Sequence, residues 1–117
     1  MRLKSEIWVK AYLRSCAAAG APAFVIRHGD DDAGAIFIKV SRLDGTARLF
    51  GPAPAGLEAD GAIRDRQWVA HIDREGASEA DVETYLGRQA EFDSDLWVVE
   101  VEDRQGRHFL DAWLAPP

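Results

Sequence analysis

Two apolar-rich runs, Ala35-Ile36-Phe37-Ile38-Lys39-Val40 and Ala47-Arg48-Leu49-Phe50, flank the pair Asp44-Gly45, and this stretch from residue 34 to residue 52 constrains the fold more than any other. Asp-Gly between such runs signals a two-residue type I′ turn, which needs a positive φ at both central positions. With that turn, Leu43 faces Thr46, Val40 faces Leu49 and Ile38 faces Gly51. One face then carries Ile38, Val40, Ala47 and Leu49. The other carries Phe37, Lys39, Ser41, Arg48 and Phe50. An apolar face backed by a mixed one predicts an antiparallel sheet covered by helices on one side.

The remaining elements follow in order. Residues 5–19 read as a helix, with Ser5 as N-cap, Glu6 in the first turn, and Val9, Tyr12, Leu13 and Cys16 at i, i+3, i+4 and i+7. Gly20 and Pro22 stop it. Residues 23–28 form a short strand, and the glycine-bounded loop 29–34 suits an antiparallel connection into the hairpin. Prolines and glycines mark 51–66 as a flexible loop. Alternation of Trp68, Ala70 and Ile72 suggests a strand over 67–73. Ser78 with Asp81 approximates a capping box opening a helix over 78–92. In the strand 95–103, Trp97, Val99 and Val101 face one way, and Leu96, Val98, Glu100 and Glu102 the other. Arg104-Gln105-Gly106-Arg107 then turns the chain into His108-Phe109-Leu110. The expected fold is α+β, a mainly antiparallel sheet of five or six strands with two helices packed on it, both on one face.

A chain of 117 residues with 47% hydrophobic content is one domain, 1–117. Its single cysteine, Cys16, lies in the first helical stripe and reads as a small buried apolar residue; it excludes an internal disulfide framework and suits a reducing compartment. No window approaches the roughly 18 apolar residues of a membrane span, and no signal-peptide core follows the N-terminus, so the expected location is the cytoplasm. The net charge of −6 argues against nucleic acid as a partner. The charge is uneven: residues 1–50 hold eight Lys/Arg against five Asp/Glu (+3), and residues 51–117 six against fifteen (−9).

Four stretches carry a family resemblance: Arg2-Leu3-Lys4-Ser5-Glu6-Ile7-Trp8, Arg42-Leu43-Asp44-Gly45-Thr46-Ala47, Asp95-Leu96-Trp97-Val98-Val99-Glu100-Val101-Glu102-Asp103 and Gly106-Arg107-His108-Phe109-Leu110. Through them the chain resembles the proteins catalogued as domain of unknown function 1491, found mostly in alphaproteobacteria. The resemblance implies a bacterial cytoplasmic protein. It implies no activity, and no catalytic residue transfers with it.

Few constellations suggest chemistry. His28 with Asp30, His71 with Asp73 and His108 with Asp111 each pair an imidazole with a carboxylate, but none has the spacing of a known metal motif. The Asp30-Asp31-Asp32 run lacks the glycine and distal glutamate of an EF-hand loop and reads as an exposed acidic turn. Glu100 and Glu102 share a strand face, as an acid–base pair would, though such pairs are usually solvated. No serine sits in Gly-x-Ser-x-Gly, and no glycine-rich phosphate loop is present. No metal or other cofactor is implied.

The suggestive feature is the mixed hairpin face, where Lys39, Arg42 and Arg48 interleave with Phe37 and Phe50. The primary reading is a small non-enzymatic protein-interaction domain whose expected partner is a second copy of itself or an unidentified protein, with this face in or near the homodimer contact. Two other readings remain: a nucleotide or single-stranded nucleic-acid binder using that face, and a metal-dependent hydrolase.

Overall fold

The hairpin forms one residue out of the expected register. The computed structural model describes residues 3–53 and 67–111, in which α1 (Ser5–Ala18), β1 (Ala23–Arg27), β2 (Ile36–Ser41), β3 (Ala47–Pro52), β4 (Trp68–Ile72), α2 (Glu79–Phe92) and β5 (Trp97–Glu102) follow one another. In the β2–β3 ladder Ile38 pairs with Phe50, Lys39 with Leu49, Val40 with Arg48 and Ser41 with Ala47. The connection is not the expected type I′ turn. Leu43 and Gly45 take positive φ values of 63° and 89°, whereas Asp44 does not. The Arg42 N–H closes the loop on the Thr46 carbonyl at 3.0 Å, and the Asp44 carboxylate accepts from the Thr46 N–H at 2.9 Å. An aspartate that caps its own turn in this way stabilises the longer loop. The extra residue moves β3 by one position against β2, which exchanges its faces.

Phe50 and Arg48 therefore share a face with Ile38 and Val40, while Leu49 and Ala47 lie with Phe37, Lys39 and Ser41. Both faces are covered. Ile36, Ile38, Val40, Phe50, Trp97, Val99 and Val101 pack with Trp8, Val9, Tyr12 and Cys16 of α1. Phe37, Ala47, Leu49, Ile72, Leu96 and Val98 pack with Val82 and Leu86 of α2. The expectation of both helices on one side is thus corrected.

The physical reason lies in the topology. The sheet has five strands in the order β1-β5-β2-β3-β4, antiparallel except for the central β2–β5 pair, which is parallel. Parallel strands need a long crossover. Here the chain from the hairpin to β5 passes through β4 and α2, which lays α2 across the face opposite α1. β5 also separates β1 from β2, so the loop after β1 does not join sheet neighbours as expected. The α+β class stands, and β5 alternates as its sequence indicates.

The acidic loop is explained locally. The N–H groups of Ser5 and Glu6, at the start of α1, donate to the carbonyls of Asp32 and Asp31 at 3.1 and 3.0 Å. The loop thereby satisfies donors that every helix N-terminus leaves open. Ser5 is not the N-cap; Lys4 is, without a side-chain bond. The Ser5 hydroxyl instead donates to the Gly34 carbonyl at 2.7 Å. Ser78 caps α2 as expected, accepting from the Asp81 N–H at 3.0 Å. Of the stretch 51–66 expected as a loop, Gly51 and Pro52 close β3, and residues 54–66 lie outside the described residues, as do Trp113 and Leu114. Beyond β5 no sixth strand forms among the described residues: the chain is irregular through Leu110, which is fully buried against the α1 side.

Candidate functional site

The five residues singled out from the hairpin do not make one surface. Phe37 and Lys39 lie under α2, and Phe50 lies on the α1 side; all three are buried. The one-residue shift of β3 is what parts Phe37 and Lys39 from Arg48 and Phe50. Arg48 and Arg42 do come together, at the hairpin end.

Lys39 is held rather than offered. Its ammonium lies 2.5 Å from Glu83, 3.1 Å from Glu100 and 3.2 Å from Glu79. Burial opposes its charge, but the hydrogen bonds to Glu83, Glu100 and Glu79 outweigh burial and hold its pKa above the ordinary lysine range. A lysine held charged by three carboxylates is an anchor, not a base or nucleophile.

Arg42, Arg48 and Arg74 line an open cleft of about 570 Å³ with Asp44, Asp73 and Glu75. Arg48 is anchored. It forks onto Asp73 through Nε and Nη2, and its Nη1 donates to the Gly106 carbonyl at 2.6 Å. Arg74 donates to Asp81 at 2.7 Å. The half-buried Arg42 guanidinium lies against Gly106, where a Cβ would meet its Nη2 and Cζ at 2.6 and 2.7 Å. Asp103, close by, is held below the usual carboxylate range, first by its bond to Arg107.

The histidines are separately engaged. His28 bonds Asp31 at 2.6 Å, not Asp30, and its ring lies tilted against Trp97. His71 contacts the Tyr85 hydroxyl at 2.6 Å and the Pro52 carbonyl at 3.1 Å, while Asp73 serves Arg48. Among the described residues, no group of three His, Cys, Asp or Glu side chains converges as a metal set. Cys16 is buried, and burial raises its thiol pKa, so it is not a poised nucleophile.

His108 carries a pH prediction. Its Nδ1 accepts the Leu110 N–H at 2.8 Å, which requires an unprotonated nitrogen there. Burial lowers its pKa, and Arg48 adds to this against the opposing pull of Asp111 and Asp73. A native pKa below the unfolded value of about 6.5 means that the unfolded chain binds more protons, so stability falls as pH drops below about 6.5. Urea unfolding at pH 7 and pH 5.5 should show this loss, and His108→Asn should shrink it. Identical pH dependence in the two proteins refutes the assignment.

One surface was not singled out from sequence. β1 is an edge strand, and Phe24, Val25 and Ile26 in it are 48%, 39% and 57% exposed. Ile26 is the extra residue of a bulge against β5, between Val25 opposite Val99 and Arg27 opposite Val98. Arg27 donates to the Ser94 carbonyl at 3.0 Å, just past the end of α2, whose last residue, Phe92, is 90% exposed. The signal was an unalternated apolar run, Phe24-Val25-Ile26, in a strand whose neighbours bury only part of it.

Together these features define a small α+β domain with a two-faced core, an apolar sheet edge and an arginine-lined cleft. The chain belongs to the DUF1491 family: the model described as "Protein of unknown function (DUF1491)" matches residues 3–111. A crystal structure of a DUF1491 family protein from Caulobacter crescentus CB15 is similar at 41% identity and a TM-score of 0.78, over 99% of this chain and 100% of that one. An NMR structure of a DUF1491 family protein from the same organism gives 44% identity and 0.77, over 99% of each chain. A solution structure of an A. tumefaciens protein gives 41% identity and 0.73, over 87% of this chain and 86% of that one. No curated protein matches the chain. No helix among the described residues is long and apolar enough to cross a membrane.

Proposed function

We propose that this chain is a non-catalytic interaction domain that pairs with a second copy of itself through the outer edge of β1. The observation that carries the reading is the run Phe24-Val25-Ile26, three large apolar residues exposed in succession on an edge strand. Natural sheets normally protect such an edge with charge, proline or a covering element. Here the run ends in Arg27, and only a bulge interrupts it.

A two-fold axis through Val25 makes the edge self-complementary. Antiparallel pairing then sets Phe24 of each copy against Ile26 of the other and brings the two Val25 residues together. It also brings the basic end of one strand, Arg27-His28, to the Pro22 end of the other. There Glu102, whose N–H donates to the Pro22 carbonyl at 2.9 Å, stands one strand in from the edge. A carboxylate thus lies near the basic end of the partner strand at both ends of the contact, which favours this orientation.

Light scattering coupled to size exclusion tests the reading. The expected result is a dimer mass for the full chain, and a monomer of unchanged melting temperature for Ile26→Asp, since Ile26 is mostly exposed in the single chain. A monomer at high micromolar concentration in both low and moderate salt overturns it, as does a dimer that Ile26→Asp leaves intact.

A further inference from the structure

The cleft at the hairpin end holds a cation whose hydrogen-bond donors no described residue takes up. Arg42 is half-buried, yet among the described residues its guanidinium has no hydrogen-bond or ion-pair partner. Asp44 and Asp103 feel its charge, but neither bonds it. Asp44 is committed to the Thr46 N–H and hydroxyl, and Asp103 to Arg107. The other two arginines of the cleft are satisfied, Arg48 by Asp73 and Gly106, and Arg74 by Asp81. Gly106 lies behind the cleft lining, against the two guanidiniums. Its positive φ of 74° favours glycine, and any Cβ would also strike the Arg42 guanidinium. Two guanidiniums thus meet one glycine: Arg48 binds its carbonyl, and Arg42 lies across it with its donors unspent.

We infer that this cleft binds a small carboxylate that also carries hydrogen-bond donors, an α-amino or hydroxy acid. The planar fork of Arg42 matches a carboxylate with two parallel bonds. The rest of the lining selects the remainder of the ligand. Asp44, Asp73 and Glu75 present acceptors around the same space and repel a bare polyanion, so the far end of the ligand must donate. The volume of about 570 Å³ is within the range of small-molecule sites.

Titration of the full chain with L-glutamate, L-malate and inorganic phosphate, followed by ¹⁵N NMR, tests this. The expected result is saturable shifts for glutamate or malate centred on Thr46, Gly76 and the Arg42 side-chain N–H. Arg42→Lys, which keeps the charge and loses the fork, should bind about tenfold more weakly or worse, while the surface control Arg88→Gln leaves binding unchanged. Intermolecular NOEs from the ligand to Gly76 in the unaltered protein provide a readout that needs no variant. Three results overturn the inference: no saturable shift with either acid at tens of millimolar, phosphate binding as tightly as the acids, or Arg42→Lys binding as well as the parent chain.

Discussion

Replacing Lys39 with methionine destabilises the fold by about 2 kcal/mol, because it leaves two half-buried carboxylates and an exposed one without their counter-charge. Lys39 sits at the centre of the sheet, opposite Leu49 on β3 and Glu100 on β5, with its side chain 6% exposed. Methionine matches its volume and fills the hole. What it cannot do is answer Glu79, Glu83 and Glu100, which converge on one ammonium from a helix and a strand. Glu100 suffers most, being the least exposed of the three. The sign with pH follows. In the parent chain the raised lysine pKa makes this contribution fully present below about pH 10, and it is lost only in stronger alkali. In Lys39→Met the carboxylates repel one another, so acidification from pH 7 to pH 5 should recover part of the deficit. Adding Glu100→Leu should recover more, since an apolar replacement for a buried pair is often neutral. Urea midpoints and slopes for the three proteins decide it. A loss under about 1 kcal/mol in the single variant sinks the anchor role.

Lys39 also marks where sequence reasoning stopped. In β2 the residues Ile36, Phe37, Ile38 and Val40 form a nearly continuous apolar run, as Trp97, Val98, Val99 and Val101 do in β5, and such runs belong to strands buried on both faces. The lysine at position 39 made β2 look amphipathic, and its burial depends on glutamates distant in the chain. Most local signals were sound: although Ser5 bonds Gly34 and leaves the N-cap of α1 to Lys4, both helices, the stop of α1, the Ser78 cap of α2 and the alternation of β5 were legible. The non-local facts were not, namely the parallel β2–β5 pair, the insertion of β5 beside β1, and the separation of the helices to opposite faces. The hairpin register failed for a smaller reason. A leucine at position 43 takes a positive φ that its type disfavours, held there by the Asp44 cap and the Arg42–Thr46 closure.

The candidate surfaces divide in the same way. Arg42 and Arg48 were singled out as part of a sheet face, and they do meet, but beyond the end of the ladder and around Gly106. Phe37 and Phe50 are core residues on opposite sides of the sheet. A basic residue beside an aromatic one in a strand carries no information about exposure until the register is known. The exposed run in β1 needed the strand order, because the same Phe24-Val25-Ile26 in a central strand would be ordinary core.

Gly29→Ala is expected to destabilise the chain by about 3 to 5 kcal/mol, the sum of overpacking against backbone and the hydrogen bonds that must then part. A Cβ at position 29 would meet the backbone of Leu96 and the Trp97 ring at 2.6 Å, and the Asp95 carbonyl closer still. None of these is the free end of a flexible side chain. The same junction holds two bonds, the Asp30 N–H to the Asp95 carbonyl at 2.9 Å and the Trp97 indole N–H to the Asp30 carbonyl at 2.8 Å. If the loop after Gly29 lifts, the Asp31 and Asp32 carbonyls leave the start of α1, and the Ser5 hydroxyl leaves Gly34. One methyl group therefore loosens the entrances of β5 and α1 together. Gly87→Ala is the matched control. Position 87 is an exposed site within α2 with nothing within 4 Å of an added Cβ, so the same chemical change should stabilise by about 0.5 to 1 kcal/mol. Denaturant unfolding of the two variants against the parent chain should move in opposite directions, and a Gly29→Ala midpoint within error of the parent would show that the loop yields at no cost and does not fasten the sheet to α1.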